Sequence, residues 1–69
     1  MQEGVNMSEL KVGDRIRVKT NWMTIRTPKW MNNYVGTVKK LNSKTITVVL
    51  DAYPDETHRI DYGDYEEEN

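Results

Sequence analysis

Sixty-nine residues without a cysteine make one small domain, with no disulfide and no thiolate metal site. No apolar run approaches the roughly 20 residues needed to span a membrane, and Met1-Gln2-Glu3-Gly4 lacks the basic and apolar regions of a signal peptide, so a cytoplasmic location is expected. The formal net charge of −1 hides a sharp split between a basic body and an acidic end.

Residues 11–44 carry nine cations, Lys11, Arg15, Arg17, Lys19, Arg26, Lys29, Lys39, Lys40 and Lys44, against Asp14 alone, a net +8. Residues 45–69 carry Arg59 against eight acids, Asp51, Asp55, Glu56, Asp61, Asp64, Glu66, Glu67 and Glu68, a net −7. Glu3 and Glu9 supply the remaining −2. Such a division implies that the acidic end folds back on the body, or that each block meets its own partner.

In chain order, residues 1–9 read as a flexible extension. Residues 10–19 read as a strand: Val12, Ile16 and Val18 share parity, and Arg15, Arg17 and Lys19 face the other way. Gly13-Asp14 marks a turn or bulge at its entry. Residues 20–33 lack alternation and read as a long excursion. Thr27 before Pro28 suggests a helix entry, and one short helical turn is expected over Pro28–Met31.

Residues 34–41 give a second strand. Val35 and Val38 differ in parity, so a bulge at Gly36 is expected to turn both inward. Asn42-Ser43 reads as a tight turn. Residues 44–51 give a third strand with Ile46, Val48 and Leu50 inward. After the break at Pro54-Asp55, Thr57-His58-Arg59-Ile60 reads as a short fourth strand. The end of the chain, Glu66-Glu67-Glu68-Asn69, is expected to be disordered.

Four or five short antiparallel strands and one long loop are too little chain for a two-layer sandwich. A small, strongly bent all-β barrel over residues 10–62, followed by an acidic tail over 63–69, uses the least sequence. Its expected core is Leu10, Val12, Ile16, Val18, Val35, Val38, Leu41, Ile46, Val48, Leu50 and Ile60, capped by parts of Trp22, Ile25, Trp30 and Met31.

Three segments carry a resemblance: Val12-Gly13-Asp14-Arg15-Ile16-Arg17-Val18, Thr27-Pro28-Lys29-Trp30 and Val35-Gly36-Thr37-Val38. Over residues 10–60 the pattern resembles SH3-like barrels of the electron-transport accessory type, above all the C-terminal domain of the nitrile hydratase β-subunit. V-G-D and V-G-T-V also suit KOW-type barrels. The segment after the third strand is shorter here, and an acid-rich tail stands where that group has its last strand. The resemblance implies an SH3-like barrel acting as a non-catalytic partner, with no activity and no metal of its own.

The residues themselves give no enzyme, cofactor or metal site. His58 is the only histidine and reads as a surface strand residue. Asp51, Asp55 and Glu56 imitate a calcium loop, but Glu56 stands where such a loop needs glycine. The expected function is a binding or accessory module docking on a larger protein partner, of a size and charge that suit a small phage-type regulator. Trp22, Arg26, Lys29 and Tyr34 are its candidate contacts, with Trp22 the better anchor and Trp30 more structural. The alternative is nucleic-acid binding through Arg15, Arg17, Lys19, Lys39 and Lys40. Asp61, Asp64, Glu66, Glu67 and Glu68 are candidates for acidic recognition or for shielding the basic face. By analogy with the resembled group, a third reading is an activator of a metalloenzyme. A monomer or an edge-paired homodimer is expected.

Overall fold

The structure is a computed structural model that describes residues 10–68; the expected extension over 1–9 and the final Asn69 lie outside the described residues. It is all-β. Five strands, β1 (Arg15–Val18), β2 (Val35–Leu41), β3 (Thr45–Leu50), β4 (His58–Asp61) and β5 (Tyr65–Glu67), form one antiparallel sheet, and a lone 3-10 turn spans Lys29–Met31. No helix among the described residues is long and apolar enough to cross a membrane.

The strand order is β4-β3-β2-β1-β5. β4 and β5 are therefore the two outer strands, yet only Tyr62, Gly63 and Asp64 connect them. The steps from Asp61 to Tyr65 reach about 13–14 Å at full extension. The edges of a flat sheet of this width would lie about 19 Å apart. The sheet must therefore roll up on itself, giving a barrel-like curl that does not close.

The acid-rich end, expected to be a disordered tail, is itself the fifth strand. Tyr65 pairs with Val18, Glu66 with Arg17 and Glu67 with Ile16. The boundary drawn at residue 62 accordingly falls just short of a strand that belongs to the sheet. Alternation had failed to reveal it because one aromatic and two acids carry no aliphatic period; partner charge on β1 replaces it.

The curl encloses Leu10, Ile16, Val18, Met31, Val38, Ile46, Val48, Leu50 and Ile60, with Tyr34 and Tyr65 packed against them. The cross-strand pairs Val38–Val48 and Ile46–Ile60 align the inward faces of β2, β3 and β4. Gly36 lies opposite both Ile16 and Leu50. A Cβ there would come within 2.6 Å of the Val49 carbonyl oxygen and 3.1 Å of Leu50 Cα, so the backbones approach where only glycine fits.

Several expected core positions lie outside it. Val12 is exposed because β1 begins only at Arg15. Before that, Gly13 adopts φ +98°, Asp14 N–H donates to Lys11 O at 3.0 Å, and the Asp14 carboxylate accepts from Lys11 N–H at 2.9 Å. The register irregularity of β2 falls between Val38 and Lys40 rather than at Gly36, so Val35 stays half-buried on the outer side. Leu41 ends β2 at the hairpin rim and is exposed, while Trp22 and Ile25 cap nothing. Met31 alone of the four expected capping residues is fully enclosed.

Candidate interaction surfaces

The excursion between β1 and β2 is a built loop. Asn21 organises its tip: its carbonyl accepts from Thr24 N–H at 3.1 Å, and its side-chain oxygen accepts from Met23 N–H at 2.8 Å. Trp22 and Met23 thereby occupy the two corner positions of a hydrogen-bonded turn. They are 86% and 68% exposed, and Ile25 beyond them is 91% exposed. The Lys29 ammonium sits beneath this turn and donates to the carbonyls of Asn21 and Thr24. At the loop base, Asn32 Oδ1 accepts from Thr20 N–H at 3.0 Å.

Three contacts moor the loop to the end of β4 and the turn that follows. Thr24 Oγ1 lies 2.6 Å from Oδ2 of Asp64, Arg26 reaches Asp61 at 3.5 Å, and Thr27 Oγ1 accepts from Asp61 N–H at 2.7 Å. Thr27, expected as a helix entry, is buried and makes no cap; Pro28 precedes the 3-10 turn without side-chain capping. Asp64 is fully buried, and its Oδ1 has no hydrogen-bond partner among the described residues.

Of the four candidate partner contacts, the structure leaves Trp22 protruding and uses the other three as supports. Arg26 and Lys29 brace the loop, and Tyr34 packs on the core. Met23 and Ile25 extend the exposed tip. Ile25 was expected to cap the core, and Met23 was given no individual role, because type alone does not tell an exposed apolar residue from a core one.

The basic row on β1 is largely matched by acids from the second block. Arg15 donates two hydrogen bonds to Asp51, at 2.8 and 2.6 Å, and a third to Thr37 Oγ1 at 2.9 Å. Arg17 donates to both carboxylate oxygens of Glu68, at 3.1 and 3.0 Å, and to the Asn33 carbonyl. These hydrogen bonds, with the ionic attraction behind them, hold the Asp51 and Glu68 carboxyls below their ordinary range and push both guanidiniums up. Lys19 donates to Asn33 Oδ1 at 2.8 Å. The Lys39 and Lys40 side chains are exposed and make no hydrogen bond or ion pair among the described residues. Of the acids, Asp61 and Glu68 are paired, Asp64 is buried, and Glu66 and Glu67 are exposed on the edge strand.

A second surface gathers rings from distant parts of the chain. Trp30 stands nearly perpendicular to Tyr34, Tyr53 and His58, with centroids at 5.6, 5.7 and 5.3 Å. Tyr34 and Tyr53 stack at 5.9 Å. Trp30 and Tyr53 keep 50% and 40% of their surface exposed. His58, expected as a surface residue, has only 18% of its side chain exposed because Trp30 and Tyr53 flank it. Its Nε2 lies 3.3 Å from Glu56 Oε1 without forming a hydrogen bond. Tyr53 was missed because it directly precedes the break read at Pro54-Asp55; an aromatic followed by proline between acids was the available signal.

The chain matches no family model, no curated protein and no solved structure among those compared with it.

Proposed function

We propose that the chain is a non-catalytic binding module that docks on a larger protein partner through the tip of the loop between β1 and β2. One observation carries this reading: Trp22 and Met23 at the corners of an internally hydrogen-bonded turn, with Ile25 beside them, all exposed. Three large apolar side chains held in water gain nothing from the fold of this chain alone. A rigid turn lowers the ordering cost when they enter a partner's apolar site.

The strand order supports an SH3-like barrel as the scaffold, with the acid-rich segment as its last strand. A cysteine-free chain suits a reducing cytoplasm, and an accessory or small regulatory subunit is the role such a module fills. The nucleic-acid alternative draws less support, because Arg15 and Arg17 are engaged by Asp51 and Glu68. It rests on Lys39 and Lys40.

The test is affinity capture from lysate with the full chain, a Trp22→Ala variant and a Lys39→Ala/Lys40→Ala variant, each with and without nuclease. A partner that survives nuclease and is lost with Trp22→Ala supports the docking reading. Capture that is lost with nuclease or with the lysine variant, and kept by Trp22→Ala, overturns it in favour of nucleic acid.

A further inference from the structure

We infer that the aromatic surface around Trp30 and Tyr53 binds a cationic side chain, arginine or lysine, on a basic segment of a protein partner. This concerns a face other than the loop tip and does not rest on the docking role of Trp22.

Packing explains Tyr34, which lies against the core, but it leaves Trp30 and Tyr53 about half exposed. The four rings fix one another's orientation through edge contacts to Trp30 and the stacking of Tyr34 on Tyr53, so the exposed ring surface is preorganised. An aromatic face carries negative potential and attracts a cation placed over it.

The segment that carries Tyr53 is acidic. Residues 51–57 hold Asp51, Asp55 and Glu56 and no lysine or arginine. Asp51 is engaged by Arg15. Glu56 returns to the cluster through a turn, its N–H donating to Tyr53 O at 3.2 Å, and its carboxylate lies 3.3 Å from the His58 ring that touches Trp30. Asp55 forms no ion pair among the described residues. The patch therefore presents rings together with the Glu56 carboxylate, a combination that complements a cation better than a phosphate. Arginine suits it best, since its planar guanidinium stacks on a ring while pairing with a carboxylate.

The experiment titrates the full chain with a short peptide containing two arginines and with its twin carrying uncharged citrulline in their place. Binding is followed by the NMR signals of the Trp30 indole N–H and of the amides of Tyr53 and residues 55–58. The Trp30 indole is told from the Trp22 indole by a Trp22→Phe variant. The arginine peptide should move these signals saturably, and the citrulline twin should bind about twofold to thirtyfold more weakly, the range of one cation–π contact. Tyr53→Leu and the double variant Asp55→Asn/Glu56→Gln should weaken binding while the remaining spectrum stays folded. Trp22→Ala should leave it unchanged. The inference is overturned if the Trp30 signal stays still at millimolar peptide, if citrulline serves as well as arginine, or if an uncharged proline-rich peptide binds more tightly.

Discussion

The hydroxyl of Thr24 lies 2.6 Å from a carboxylate oxygen of Asp64 that water does not reach, and this contact joins the most exposed loop to the turn before the last strand. Thr24 stands between Met23 and Ile25 in sequence, yet it turns inward while both neighbours project outward. The hydroxyl has one proton to give and two acceptors in reach, Asp64 Oδ2 and the Asn21 carbonyl at 2.9 Å. Thr24→Val would leave a buried carboxylate with neither oxygen satisfied by a side chain. The expected loss is about 1–3 kcal/mol in denaturant unfolding, with faster amide exchange across residues 22–26. Thr24→Ser, which keeps the hydroxyl, should be close to the parent, and equal behaviour of the two variants would show that the contact does not hold the loop.

Acid should loosen the sheet through its ion pairs. Asp51 and Glu68 have carboxyls held low in the folded chain, first by hydrogen bonds from Arg15 and Arg17. An unfolded carboxyl titrates near ~4. The stabilisation is therefore present above that value and lost as pH falls through the lower folded values. Stability should drop on acidification below about pH 4, and Asp51→Asn with Glu68→Gln should flatten this part of the profile. Thermal melts across pH 2–6 read the effect. Both groups face solvent, so the change is modest and shrinks with added salt.

Gly36 carries a steric prediction. With the Val49 carbonyl oxygen 2.6 Å from where a Cβ would stand, Gly36→Ala must push β2 and β3 apart or twist one of them. The expected cost is about 1–3 kcal/mol, comparable with overpacking a core, although alanine is otherwise the better strand residue. Ile46→Ala and Val48→Ala test the same interface by removal and should cost about 1–4 kcal/mol each. An unchanged melting temperature for Gly36→Ala would mean that the strands are spaced more widely there.

The contrast between β3 and β5 shows what could be read from sequence. Ile46, Val48 and Leu50 alternate with residues on the outer face, so period and burial agree and the strand was plain. β5 is three residues long: Tyr65 packs at the core margin, Glu66 and Glu67 are exposed, and the ion pair to Arg17 comes from Glu68 just beyond the strand. Its signal lay in the opposite charges of two distant blocks, visible as a total and silent about register. The loop tip was legible only in part. Trp22 stood out by type, whereas the turn that exposes it depends on Asn21, Lys29 and Asp64, which meet only once the chain is folded.

Removal of residues 65–69 should therefore harm the fold itself, beyond any change in long-range charge. It would uncover the β1 edge, release Arg17 from Glu68 and take Tyr65 from the core margin. Loss of the cooperative melt, or self-association through the bared edge in sedimentation, is the expected result. A truncated chain that stays monomeric and melts like the parent would return the segment to the status of a charged tail.

The two tryptophans should separate binding from stability. Trp22 projects from its turn and meets no other ring among the described residues, so Trp22→Ala should leave the melting temperature nearly unchanged while weakening the partner complex by more than about 2 kcal/mol if it anchors the contact. Trp30 is the ring shared by Tyr34, Tyr53 and His58. Aromatic pairs contribute about 0.5–1.5 kcal/mol each beyond burial, so Trp30→Ala should lower stability measurably and free Tyr53 and His58 to move. Unfolding curves and partner affinity measured on both variants place each residue on one axis. If Trp22→Ala destabilises the fold while leaving affinity intact, the exposed tip is a structural element and the docking surface lies elsewhere on the chain.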